Sequence, residues 1–250
     1  MKESIKLEED AVGQAMWAFH RGNKSFEVIE REDGYIDVTN PKLYFTEFED
    51  WMPDEKRAIE HAKGRVLDVG CGAGRHALYL QKKGLKVLGI DKSPLAVKMS
   101  RLRGVKKVKV MPIERINFKP NSFDTIIMMG NNFALFGALK KARKSLREFH
   151  RIASKDGVII ASAVDVYPPT RDVPEHLEYF SFNRKRGRMA GQWRIRIRFR
   201  KFATTWFDLL HVSKEEMIGI LKGTGWRVQE FIDSGSPAYI AIIRKANEFA

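Results

Sequence analysis

Three glycines at alternate positions, Gly70, Gly72 and Gly74, follow an apolar run at residues 66–69 that carries one acid, Asp68. Glycines in such a turn let backbone approach a ligand, because a Cβ would block the approach and forbid the dihedrals of a tight turn. A second acid, Asp91, closes the next apolar run 21 positions after Gly70. An acid there can accept hydrogen bonds from both ribose hydroxyls of an adenosine. Two other nucleotide sites are excluded. A dinucleotide fingerprint needs a glycine at the sixth position from Gly70, which is Arg75, and no Gly-Lys-Ser/Thr of a phosphate-cradling loop is present.

The elements that must position these residues read in order. Residues 66–69 form a strand and 75–80 a helix. Residues 84–91 form a second strand. Ser93 as N-cap and Pro94 at the first helical position open a helix that runs to about Arg103. Strand, glycine turn and helix together present backbone at the carboxyl end of a strand in a doubly wound sheet. A third strand and its loop fall at 105–118, and a fourth within 121–137. A helix over 137–154 carries Leu139, Ala142, Leu146 and Phe149 as its buried stripe. Asp156-Gly157 then turns into a fifth strand ending at Tyr167. Ser213 with Glu216 opens a last helix as a capping box, and 227–233 with 238–245 give two further strands, an antiparallel pair at the sheet edge.

The acid-x-G-x-G-x-G turn, with Asp91 behind it and the later strands in place, resembles the class I S-adenosylmethionine (SAM) dependent methyltransferases from about Tyr44 to the C-terminus. The resemblance implies an α/β fold with a seven-stranded doubly wound sheet, mostly parallel with an antiparallel edge strand, and SAM as cofactor. It implies cofactor contacts at Asp68, Gly70, Cys71, Gly72, Gly74, Asp91, Lys92 and Gly130. The aromatic segment before the first strand resembles the family's N-terminal lid, with Tyr44 and Phe45 as its candidates. The acid that bonds the adenine amine in the family would fall near Pro112, which cannot do so, leaving Glu114 or the backbone at Ile113. At the exit of the fourth strand, amino-methyltransferases carry Asn/Asp-Pro-Pro-aromatic; this chain has Asn131, Asn132 and Phe133 but no prolines. The partial match implies amide oxygens accepting the N–H bonds of an exocyclic base amine such as cytosine N4, with the base stacked on Phe133. Asp165 and Tyr167 are spare candidates for a base.

Composition narrows the partners. The formal net charge is +14, unevenly spread: residues 1–60 carry 8 Lys/Arg against 15 Asp/Glu, and residues 101–201 carry 24 against 8. So one-sided an excess points to a polyanion. Residues 168–212 read as an insertion. Within it Arg184, Lys185, Arg186 and Arg188 make a basic loop. Arg194, Arg196, Arg198 and Arg200 alternate with Trp193, Ile195, Ile197 and Phe199, a period-two ribbon with one greasy and one cationic face. Residues 202–210 can return as its partner strand. A structured ribosomal or transfer RNA is the expected substrate on this charge; a metabolite methyltransferase is the alternative, with the ribbon closing over an acidic substrate.

Residues 1–57 read as an N-terminal extension and lid, with a helix over 9–21 and a hairpin turning at Asp33-Gly34; 58–250 read as the SAM-binding domain. No apolar run approaches the roughly 18 residues of a membrane span, and the charged first ten residues are unlike a signal peptide. The single Cys71 excludes an internal disulfide and fits the cytoplasm. No C-x-x-C or H-E-x-x-H spacing suggests zinc, and the six His form no triad. A monomer is expected.

Overall fold

The computed structural model describes residues 5–167, 173–233 and 235–246; the Pro168-Pro169 opening of the insertion lies outside them. Helix α1 (Ala11–His20) is capped by Asp10, which accepts from the Gly13 N–H. The hairpin β1 (Glu27–Arg31) and β2 (Ile36–Thr39) follows, then α2 (Pro53–Ile59). The alternating core comes next: β3 (Arg65–Val69), α3 (Arg75–Lys82), β4 (Lys86–Asp91), α4 (Pro94–Leu102), β5 (Val108–Val110), β6 (Phe123–Met128), α5 (Leu139–Ile152) and β7 (Ala153–Val164). After it come α6 (Pro174–Lys185), β8 (Gln192–Phe199), β9 (Phe202–Ala203), β10 (Phe207–Leu210), α7 (Lys214–Leu221), β11 (Trp226–Asp233) and β12 (Ala238–Lys245).

Seven strands form one sheet in the order β11-β12-β7-β6-β3-β4-β5. It is mostly parallel, and β12 runs antiparallel to both β7 and β11 at one edge. Val66, Leu67, Asp68 and Val69 of β3 are all buried, as a central strand covered on both faces requires. Ser93 caps α4 by accepting from Ala96, Pro94 follows it, and Ser213 with Glu216 completes the capping box of α7.

A second sheet has the order β10-β8-β1-β2, with β9 also on β8. The expected ribbon is therefore not freestanding. Its central strand β8 pairs on its other side with β1 of the N-terminal hairpin, Glu30 lying directly opposite Arg196.

Two local expectations are corrected. Residues 183–185 are not loop but the last turn of α6, whose buried stripe is His176, Tyr179, Phe180 and Asn183. Two polar residues in that stripe hide its helical period; the Asn183 amide nitrogen donates to the Ala190 and Gln192 carbonyls, while its Oδ1 is buried without a partner. Asp156-Gly157 lies inside β7 rather than ahead of it, at a register irregularity against β6.

The chain divides into two compact units. The first holds the described residues of Met1–Trp51, Asp68–Arg115 and Arg194–Phe207. The second holds those of Met52–Leu67, Ile116–Trp193 and Asp208–Ala250. The N-terminal hairpin and the arginine strand fall in one unit because they pair with each other.

Candidate functional site

In the first unit the glycine turn is held from three sides. The N–H groups of Gly70 and Cys71 donate to the Ile90 carbonyl at 2.8 and 3.0 Å, and Ser100 Oγ donates to the Gly72 carbonyl at 2.9 Å. Gly72 N–H donates to Asp91 Oδ2 at 2.9 Å, while Ser93 N–H donates to Asp91 Oδ1 at 2.8 Å. Each Asp91 oxygen keeps a further lone pair. All three glycines have positive φ. A Cβ on Gly74 would come within 2.6 Å of Val105, so only glycine fits there. Cys71 is buried with Sγ 3.9 Å from Ser100 Oγ, and burial pushes its thiol up, which makes it filler rather than nucleophile.

Asp68 lies at the foot of the turn, 2% exposed, with Oδ2 buried and without a hydrogen-bond partner. Burial first, and the Asp91 charge second, raise its carboxyl to about 7. An orphaned buried carboxylate oxygen beside a backbone cradle suits a ligand that carries positive charge.

Tyr44 lies against this turn. Its ring would be 3.6 Å from a Cβ on Gly72, and it packs with Met16, Ala73 and Met99. Its hydroxyl donates to Glu27 Oε2 at 3.0 Å. Glu27 is fully buried, its Oε1 has no partner, and burial raises its carboxyl to about 7. It sits on the face of β1 that looks along Ile29 toward Ile197 and Phe199, the greasy side of the ribbon. Sequence reasoning missed Glu27, since the alternation of Phe26 and Val28 points to the opposite face; Phe26 is in fact exposed. Phe45 packs on Phe19 and lies under the Arg103 guanidinium, which also donates to the Ala73 carbonyl. Lys92 is exposed with Nζ 4.1 Å over the Phe207 ring. Ile113 and Glu114 fall in a single helical turn, Ile113 partly buried and Glu114 exposed.

In the second unit the exit of β6 turns sharply through Gly130 and Asn131, both at positive φ. For a non-glycine residue this conformation is uncommon and marks a position fixed by its surroundings. The Asn131 N–H donates to Ser162 Oγ, and its Oδ1 is buried without a partner. Asn132 begins the next helical turn, half-buried. Phe133 is wholly buried, edge-on to Phe136 at 5.0 Å. That overturns its expected role, because a ring packed on all sides offers no face to a base. Tyr167 donates to Glu216 at 2.7 Å, and burial pushes its phenol up, so it is no base at neutral pH. Asp165 accepts from the Tyr167 N–H.

Residues 67–161 match a family model described as a methyltransferase domain. A SAM-dependent methyltransferase from Bacteroides fragilis, solved in complex with S-adenosyl-L-homocysteine, is 26% identical, with TM-score 0.82 over 98% of this chain and 98% of that one. Residues 67–161 are a SAM-dependent methyltransferase domain of class I, and the cofactor of that domain is SAM. A ubiquinone/menaquinone biosynthesis C-methyltransferase of Citrifermentans bemidjiense is 30% identical over 132 residues, 49% of this chain and 54% of the relative. A tRNA (uracil(54)-C(5))-methyltransferase of Pyrococcus horikoshii is 30% identical over 161 residues, 61% of this chain and 36% of the relative. The chain thus spans about a third to a half of the length of these curated relatives.

The basic residues of this methyltransferase fall into two groups. On β8, Arg196 is bonded to Glu30 through Nε and Nη2, both at 2.8 Å, and Arg198 reaches the same carboxylate at 3.5 Å. Arg194 is half-buried, and Arg200 sits at positive φ in the turn after β8. The expected four-arginine surface is therefore partly neutralised from within. In the second unit, Arg184 and Lys185 are exposed at the end of α6, and Arg186 stacks on Phe182 at 3.9 Å. Arg188 lines a cleft with α5. Among the described residues no group of His, Cys, Asp and Glu could hold a metal, and no helix is long and apolar enough to cross a membrane.

Proposed function

We propose that this methyltransferase modifies RNA, a structured ribosomal or transfer RNA, at a base nitrogen such as cytosine N4. The observation that carries the RNA substrate is the surface of α5. It holds six Lys/Arg and one acid, and that acid, Glu148, is already bonded to Arg151. Lys140, Lys141, Lys144 and Arg147 are left exposed without a carboxylate among the described residues. Such a surface in a chain of net charge +14 suits a phosphate backbone.

The cofactor's place is proposed from the first unit. The backbone of Gly70–Gly74 would lie along SAM, Asp91 would accept the ribose hydroxyls, Asp68 would face its positive charge, and Tyr44 would cover it. SAM when bound supplies a methyl group already activated on a sulfonium. What remains for the chain is to place and polarise the acceptor. Asn131 Oδ1 is the group suited to this. An amide oxygen accepting one N–H of an exocyclic amine draws the nitrogen lone pair out of conjugation and fixes its direction, and positioning of this kind supplies several kcal/mol. Asn132 is the second candidate.

A metabolite acceptor is the second reading, supported by the burial of Phe133, which removes the base-stacking ring. Salt decides between them. Affinity for an unmodified transcript should fall with salt on a log–log slope of about −0.7 to −0.9 per phosphate contacted; a flat response would favour the metabolite.

A further inference from the structure

The second unit contains a cleft of about 530 Å³ between the first half of α5 and the turn after α6. Its walls carry Leu139, Lys140, Arg143 and Arg147 from α5, with Arg188 and Met189 opposite, and no acidic residue lines it. The volume is that of a ligand site, typically about 300–1,000 Å³. Lys140, Arg143 and Arg147 stand at i, i+3 and i+7, which puts them along one side of the helix.

Three features make this more than a solvated charged face. Arg143 is half-buried, with Nη2 donating to the Gly219 carbonyl at 3.2 Å and Nε buried without a partner. An unmet guanidinium N–H in such a place costs free energy unless an acceptor arrives. Helix α5 starts at the cleft with Ala138 as N-cap, whose side chain cannot satisfy the first-turn N–H groups. Those N–H groups and the positive end of the helix dipole add to the field of the cations. Finally, the cations come from two separate elements and converge, so that an anion entering between them is met from both sides. Arginine forks match the two oxygens of a phosphodiester.

We infer that this cleft is the docking site for the RNA backbone: it takes a phosphodiester with its sugar, and the α5 surface continues the track. The inference rests on the RNA assignment above and moves the contact from Arg196 and Arg198 of β8, which Glu30 engages, to Arg147 and Arg188.

The test is binding of a fluorescently labelled, unmodified tRNA transcript by the full chain, read by anisotropy across a salt series. Wild type is compared with Arg147→Gln/Arg188→Gln in the cleft and with Lys141→Gln/Lys144→Gln, which removes the same number of charges from α5 outside it. SAM binding, which uses neither pair, checks that each variant is folded. The expected result is a loss of about tenfold or more for the cleft variant beyond the control, with the salt slope reduced by about one to two. Equal losses in the two variants would overturn the cleft while leaving an RNA substrate in place. Wild-type binding that is absent, or indifferent to salt, would remove the RNA assignment and the cleft's role with it.

Discussion

Glu30 and Arg196 face each other across β1 and β8, joined by two hydrogen bonds of 2.8 Å each. The acidic N-terminal segment and the basic insertion, far apart in sequence, thus cancel part of each other's charge in one sheet. An arginine already engaged this way has little to offer a phosphate. Arg196→Gln should therefore change the affinity for an RNA transcript by less than about twofold, as for an exposed ion pair of modest worth. A drop of tenfold in anisotropy titrations would restore the β8 surface as the RNA contact.

Asp68, proposed to face the cofactor's positive charge, should give SAM binding a pH dependence. Its carboxyl is raised to about 7 by burial and by Asp91, so below neutrality the free protein holds it protonated. A cationic cofactor favours the ionised form, and binding must then release a proton. SAM affinity measured by calorimetry should rise between about pH 6 and 8 and flatten above. Asp68→Asn should remove that rise. An unchanged profile in the variant would detach Asp68 from the cofactor.

Glu27 makes the opposite contribution to the stability of the free protein. Its folded pKa of about 7 lies above its ordinary value of 4.5. The folded state therefore binds more protons than the unfolded chain in that window. Stability attributable to Glu27 is complete below about pH 4.5 and is lost as pH rises through about 7. Glu27→Gln keeps an acceptor for the Tyr44 hydroxyl and removes the buried charge. It should be more stable than wild type by on the order of 3 kcal/mol at pH 8, with the gap closing below pH 4.5. Urea titrations at pH 4.5 and 8 check this; a gap that does not change with pH contradicts it.

Asn131→Ala should lower the turnover of methyl transfer by about 100- to 1,000-fold, the range for one lost transition-state hydrogen bond. SAM affinity should stay within about twofold, since Asn131 is not among the cofactor residues. The companion change Asn132→Ala should cost less, because the unsatisfied amide oxygen belongs to Asn131. Loss in the Asn132 variant alone would exchange the two roles.

The sheet and the glycine turn were legible in sequence because their signals are local. Ser93-Pro94 marks a helix start, the glycines mark a turn that forbids Cβ atoms, and apolar runs mark buried strands. What was hidden depends on partners distant along the chain. The pairing of Glu30 with Arg196 joins residues 166 positions apart. The buried Glu27 lies on the face that alternation alone assigns to solvent. Phe133 looked like an exit-loop platform, yet the loop closes through Asn131 at positive φ and turns the ring inward. The α5 cations were plain in sequence, but their convergence with Arg188 needed α6 to end where it does.

The most direct measurement is transfer of labelled methyl from SAM by the purified protein, offered undermodified RNA in one reaction and an RNA-free metabolite extract in another. The account predicts label in RNA, with nucleoside mass analysis placing the methyl on a base nitrogen. Label confined to the metabolite extract would contradict it.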